Sequence, residues 1–154
     1  MQICDHTSVG ILIYRRKDVL LIERRNAPIG FAPPAGHVDN LGTFEDAARI
    51  EVHQEVGLSV ERLELVGEGK RMNPCRRIGG TWHYWKIYKA DVSGELQLSN
   101  RETRSSIWAS PETIRDLAGK TEKYAQKSID ETEWIAGPGL EPVWVEWFRE
   151  LGLV

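Results

Sequence analysis

Cysteine is scarce in this chain. Cys4 and Cys75 are the only two in 154 residues, too few for the disulfide framework of a small secreted domain, so a reducing cytoplasm is the expected compartment. No apolar run approaches the roughly 20 residues of a membrane span. The opening MQICDHTSVG lacks the basic-then-apolar pattern of a secretory signal. A surplus of positive charge is missing as well: 20 Lys and Arg stand against 23 Asp and Glu, a net of −3. That removes the bulk attraction on which duplex nucleic-acid binders rely. Internal repeats, low-complexity segments and linkers are also absent, so residues 1–154 read as a single domain large enough to bury its own core.

What is present is ordinary for a globular protein, 41% hydrophobic and 28% charged. Ser8 to Tyr14 and Val19 to Glu23 are β-rich runs joined by Arg15-Arg16-Lys17-Asp18, a predicted hairpin. Asn26 to Pro34 is loop, punctuated by Pro28, Gly30, Pro33 and Pro34. Arg62 to Lys70 predicts a strand with Leu63 and Leu65 inward and Val66 as a further candidate, and Thr81 to Ala90 predicts the strongest strand, with aromatics on both faces. Short strands are expected at Leu96–Leu98 and Ser106–Ala109. Ser110-Pro111 starts a helix with Gly119 as its stop, a further helix falls within Glu122 to Ile135, and Pro142 begins a last one with Val143, Trp144, Trp147, Phe148 and Leu151 on its apolar face. That last face fits either a core or a partner copy, so a homodimer is a candidate assembly.

The most informative stretch is GHVDNLGTFEDAARIEVHQEVGL, Gly36 to Leu58. Thr43 is an N-cap residue type, Phe44 onward is free of breakers, and Gly57 suits the position just past the helix end. At helical spacing Phe44, Ala48, Val52 and Val56 make an apolar stripe. Glu45 and Arg49 can pair on the solvated flank. Glu51 and Glu55, four residues apart, fall on one side, with Glu55 almost inside the stripe, where like charges repel. Such a pair taken alone is more often a solvated face. Here it sits against the core stripe and follows a Gly-rich turn, and a hard divalent cation would relieve the repulsion. Mg²⁺ is typically held by one or two carboxylates plus phosphate oxygens, so the arrangement suggests a metal-assisted site acting on phosphates.

The stretch resembles a Nudix box, in which Gly and five residues precede Glu, and seven more precede Arg-Glu-apolar-x-Glu-Glu-x-Gly-apolar. Without a gap, Gly36, Glu51, Val52, Glu55, Gly57 and Leu58 match. Gly42, Ile50 and Gln54 depart, standing where the family has Glu, Arg and Glu. Pro34-Ala35-Gly36-His37-Val38, Ala47-Ala48 and Trp108-Ala109-Ser110-Pro111-Glu112 also read like Nudix proteins. The resemblance implies an α/β/α sandwich around a mixed sheet, Mg²⁺ or Mn²⁺ as cofactor, and Glu51 and Glu55 as catalytic and metal-binding residues. Gly36 belongs to the implied metal set, and Gln54 can contribute a neutral amide oxygen. Ile50 removes an Arg that usually orients box carboxylates, so weakened metal binding is expected. His37 and Asp39 are expected to shape the turn.

Outside the box, Arg71, Arg76 and Arg77 in RMNPCRRIGG are candidate substrate contacts, because a guanidinium fork suits phosphate. The alternative is a basic loop that only meets water. His83, with Trp82, Tyr84 and Trp85, is a candidate for holding a nucleobase, although strand aromatics are more often core. His83 is not expected to hold Mg²⁺, which prefers oxygen. Glu102 is a candidate extra acid, since Nudix proteins often draw a ligand or base from a loop in this region. The expected function is metal-dependent hydrolysis of a diphosphate linkage in a small nucleotide-type substrate. The alternative is a catalytically weakened domain that binds a nucleotide or RNA.

Overall fold

The fold is described from a computed structural model, over residues 2–154. Its strands are β1 (Thr7–Arg15), β2 (Asp18–Arg24), β3 (Phe31–Ala32), β4 (Ala35–Gly36), β5 (Ser59–Arg71), β6 (His83–Ser93) and β7 (Thr103–Ala109). Its helices are α1 (Phe44–Val56), α2 (Pro111–Ala125), α3 (Glu131–Ala136) and α4 (Pro142–Glu150). The seven strands form one sheet ordered β3-β2-β1-β6-β5, with β4 on β1 and β7 on β2. β1 runs parallel to β6 and antiparallel to β2 and β4, so the sheet is mixed.

Helices cover both faces, which is why β1 is apolar almost without interruption. Val9, Ile11 and Ile13 point into the core under α1, together with Ala48, Val52 and Val56. Leu12, from the alternate set, joins Trp85, Ile87, Trp144, Trp147 and Phe148 under α2 and α4. Gly10 lies on that second face, where a Cβ would overlap the Trp144 ring. The α/β/α layering expected from the sequence is the one observed.

α1 begins in a capping box. The Asp46 N–H donates to Thr43 Oγ1 (3.1 Å) and the Thr43 N–H to the Asp46 carboxylate (3.0 Å). It ends at Gly57 in the left-handed region, φ 73°. Arg49 does not pair with Glu45; its guanidinium donates to the Val60 carbonyl (3.1 Å), closer to the end of its reach.

Four other expectations need correction. In β5, Leu65 is exposed, while Leu63 and Val66 pack on opposite faces. A register shift between Leu65 and Gly67 leaves Val66 as the extra residue of a bulge, which breaks the simple alternation. Leu96–Leu98 is not a strand: the Gln97 and Ser99 N–H groups donate to the carbonyls of Val56 and Glu55, so the segment caps α1 instead. Gly119 does not stop α2, because Ile114, Ala118 and Thr121 keep burying the same face beyond it. Tertiary packing overrides local propensity there. The helix expected within Glu122–Ile135 is divided between the last turn of α2 and the short α3. The apolar face of α4 is used inside the chain, with Trp144 and Trp147 fully buried.

Gly119 has open space around the position of a Cβ. Gly119→Ala is therefore expected to stabilise the protein by up to about 1 kcal/mol, read as a shifted urea midpoint at unchanged m-value.

Candidate active site

The site is built on the inward side of α1. Because α1 starts at Phe44 and keeps its apolar stripe on the sheet, Glu51 and Glu55 are carried toward the short β4 strand. The Ala35 N–H donates to Glu55 Oε2 (2.9 Å), which orients a carboxylate that is 4% exposed. Glu51 lies directly over Gly36: any Cβ there would overlap its carboxyl group. Gly36 is thus required for space. Among the described residues no arginine pairs with either carboxylate; for Glu55 the β4 backbone supplies the orienting donor.

Both acids face a cavity of about 500 Å³, whose rim includes Arg24, Arg76, Arg77, Arg101, Glu102 and Glu141. Among the described residues neither Glu51 nor Glu55 has an ion-pair partner. Desolvation, reinforced by the charges of Glu102 and Asp39 against Arg77, pushes the Glu51 carboxyl up to about 7. Glu55 is raised well above the ordinary carboxyl range, first by burial, then by Glu51 and Glu102; the Ala35 N–H and Arg24 only partly oppose this.

The candidate residues divide between those the fold gathers and those it leaves out. Gly36, Glu51, Glu55, Arg76, Arg77, His83 and Glu102 all border the cavity. Gln54 does not; it is exposed on the outer flank of α1. Arg71 does not either, because its guanidinium lies over the Trp147 ring (3.9 Å) and pairs with Glu150 (2.6 Å). It serves as a cover for α4. Arg77 is anchored by two bonds to Asp39, at 2.6 and 2.9 Å, leaving Arg76 as the freer cation of that turn.

His83 is 1% exposed, and both ring nitrogens are engaged, Nδ1 with the Asn73 carbonyl (3.0 Å) and Nε2 with Cys4 Sγ (3.3 Å). Trp82 stacks on His6 with centroids 4.0 Å apart, Tyr84 is exposed, and Trp85 is core, its indole N–H donating to Asn73 Oδ1 (3.0 Å). These aromatics do not form a common base platform.

Sequence reasoning missed Arg24, Arg101 and Glu141. Glu141 is 6% exposed, 4.0 Å from Arg24, and raised by burial despite that neighbour. It reaches the cavity because residues 139–141 pair with β3: the Phe31 N–H donates to the Gly139 carbonyl (2.8 Å) and the Glu141 N–H to the Phe31 carbonyl (2.9 Å). A signal existed. Glu is a poor capping residue, yet it precedes Pro142 at a helix start and makes no capping bond there.

The sequence matches the family model described as NUDIX domain over residues 5–132. A MutT NUDIX hydrolase from Burkholderia pseudomallei is 26% identical, with a TM-score of 0.62 over 70% of this chain and 84% of the other. A MutT protein from Methanosarcina mazei Go1 is 17% identical and superposes with a TM-score of 0.68 over 99% of this chain and 96% of the other. A C. elegans Ap4A hydrolase is 23% identical, with a TM-score of 0.54 over 77% and 91%. The last two speak for the fold alone. No protein of curated function matches.

The raised carboxyls fix the sign of a pH effect. Folded Glu51 and Glu55 hold protons that the unfolded chain releases near the ordinary glutamate value of 4.5. Without divalent metal, stability is therefore full below that value and declines as pH rises toward about 7 and beyond. The slope is up to about 1.4 kcal/mol per pH unit for each titrating carboxyl. Glu55→Gln should raise the Tm at pH 8 and flatten the decline. Thermal melts across the pH range, in chelator, check both.

Proposed function

The chain belongs to the NUDIX family, and we propose that it is a divalent-metal-dependent hydrolase cleaving a diphosphate linkage in a nucleoside-diphosphate-linked compound. The family's fold supports a hydrolase acting on small nucleotide-type substrates. The observation that carries the finer reading is the desolvated pair Glu51 and Glu55, four residues apart on one helix face and facing a cavity without a cationic partner.

Residue chemistry fits Mg²⁺ or Mn²⁺. The donors are hard oxygens, and the unbalanced charge of Glu51 and Glu55 is what such an ion neutralises. Bound there, the ion would supply charge stabilisation to phosphate oxygens and acidify water. The rest falls to the chain. Gly36 keeps the space that lets Glu51 approach the β4 backbone, and the Ala35 N–H holds Glu55 in its rotamer. Arg76 and Arg101 are exposed at the cavity rim and form no ion pair among the described residues, so they are placed to meet substrate phosphates. Glu102 is also exposed at the rim, and its charge raises both helix carboxyls. With Glu51 and Glu55 committed to the cation, Glu102 is the acid that accepts the proton from attacking water and returns it to solvent.

Gln54, exposed and away from the cavity, and Arg71, committed to α4, have no part in this scheme. A second reading has its own observation: with both inward carboxyls shifted toward the neutral form, affinity for Mg²⁺ falls at neutral pH, which suits a nucleotide-binding module that has lost turnover.

A panel of dinucleotides, nucleotide sugars and nucleoside triphosphates, with Mg²⁺ or Mn²⁺ and with chelator, separates the two. Glu51→Gln and Glu55→Gln should each lower kcat by about 10²-fold or more, and Glu102→Gln should lower kcat with KM little changed. Arg71→Ala should leave KM within about twofold. Nucleotide binding by isothermal titration that ignores Mg²⁺ and yields no product on any substrate would favour the binding module.

A further inference from the structure

Donors of a different kind gather beside the cavity, where His37, Cys75 and His83 also contribute to its lining. Cys4 lies ahead of β1, His37 directly after β4, Cys75 in the turn before β6, and His83 at the first residue of β6. One ligand atom from each of the four lies within 4.8 Å of all the others. Cys4 Sγ is 3.3 Å from His83 Nε2 and 3.7 Å from His37 Nε2. A tetrahedral ion with Zn–S near 2.3 Å and Zn–N near 2.0–2.1 Å requires sulfur-to-nitrogen edges of about 3.6 Å. We infer that Cys4, His37, Cys75 and His83 form a structural Cys2His2 zinc site, distinct from the carboxylate site on α1.

The surrounding bonds suit metal ligation. The His83 Nδ1–H donates to the Asn73 carbonyl, which leaves Nε2 as a lone pair aimed at the group. That is the arrangement a metal-bound histidine adopts, with the second nitrogen fixed by a carbonyl. Both sulfurs accept backbone N–H groups from two residues onward: His6 to Cys4 at 3.3 Å, and Arg77 to Cys75 at 3.4 Å. Two sulfurs and two imidazole nitrogens thus converge on one point, the donor set that a tetrahedral ion takes up. Both cysteines are free. The backbone is shaped to this end, since the Cys75 N–H donates to the Gly80 carbonyl (2.8 Å), and a Cβ at Gly80 would overlap Cys75 Sγ. Thiolate and imidazole donors in a tetrahedral S2N2 set select Zn²⁺ over Mg²⁺ or Mn²⁺.

The site would tie the segment ahead of β1 and the turn before β6 to the end of β4 and the start of β6. The Cys4 N–H donates to the Ile78 carbonyl (2.9 Å) and the Ile78 N–H to the Gln2 carbonyl (3.0 Å), a small bridge that the ion would lock. His37 follows Gly36, which lies beneath Glu51, and Cys75 precedes Arg76 and Arg77. Zinc at this place would fix the phosphate-facing turn relative to the carboxylate helix.

The test does not depend on hydrolysis. Protein purified under reducing conditions without added metal should carry about one zinc per chain by elemental mass spectrometry. Replacement with Co²⁺ should give the strong visible bands of a tetrahedral ion and near-ultraviolet thiolate charge transfer. Cys75→Ser and Cys4→Ser should each lower zinc content by roughly tenfold and lower the Tm, whereas Glu55→Gln should retain zinc. Should a variant not fold, the cobalt spectrum of the wild-type protein decides alone. Wild-type protein that is zinc-free and gives no thiolate–cobalt transition overturns the inference, as does full zinc retention in Cys4→Ser/Cys75→Ser, or a Cys4–Cys75 disulfide in protein isolated without oxidant.

Discussion

Two carboxyl groups held out of water without a counter-charge set the terms for the rest of this molecule. Glu55 is almost wholly buried and Glu51 lies close beside it, and the Glu51 charge makes Glu55 harder to ionise. Their position is costly to maintain, and the fold maintains it at several points. Thr43 and Asp46 fix where α1 begins. Ala48, Val52 and Val56 fix its rotation on the sheet. Gly36 yields the space above β4, and the Ala35 N–H takes one oxygen. Such an accumulation is expected of a functional site, where local rules are broken and the surroundings compensate.

Periodicity and capping made much of this legible in the sequence. The limits of α1 follow from Thr43 and Gly57, and the inward direction of Glu51 and Glu55 follows from their place beside the apolar stripe. The β-rich run of β1 and the apolar face of α4 were likewise readable from residue type. What escaped was information that exists only after folding. Glu141 reaches the cavity because residues 139–141 pair with β3, far away in the chain. Arg71 looked like its neighbours Arg76 and Arg77, yet a bulged β5 brings it against Trp147 instead. Gly119 read as a stop because propensity is local, and α2 runs through it because burial is not. The site donors Cys4 and His83 are 79 positions apart, a separation that no short spacing pattern reveals.

The box departures also look different once placed. Gly42 has φ 109°, and a Cβ there would overlap the Asp46 carboxylate, so the missing Glu is linked to the capping box that starts α1. Gln54 lies on the solvated flank, so its lost charge is not lost from the cavity. Ile50 takes away an arginine, but the orientation an arginine would give Glu55 comes from a backbone N–H. The chain thus combines a reduced acid count with a site still aimed inward.

Two kinds of donor meet in one cavity, and their chemistry keeps them apart. Carboxylate oxygens on α1 suit a hard ion that exchanges with substrate, while sulfur and imidazole at Cys4, His37, Cys75 and His83 suit a softer ion that stays. Gly36 and His37 are adjacent in sequence, so the residue beneath Glu51 and a zinc ligand share one short stretch of backbone. Any shift of that stretch would move both at once. The proposed zinc, though a separate site, would therefore also support the carboxylates, because the same backbone that must stay still for Glu51 and Glu55 is the backbone it would hold.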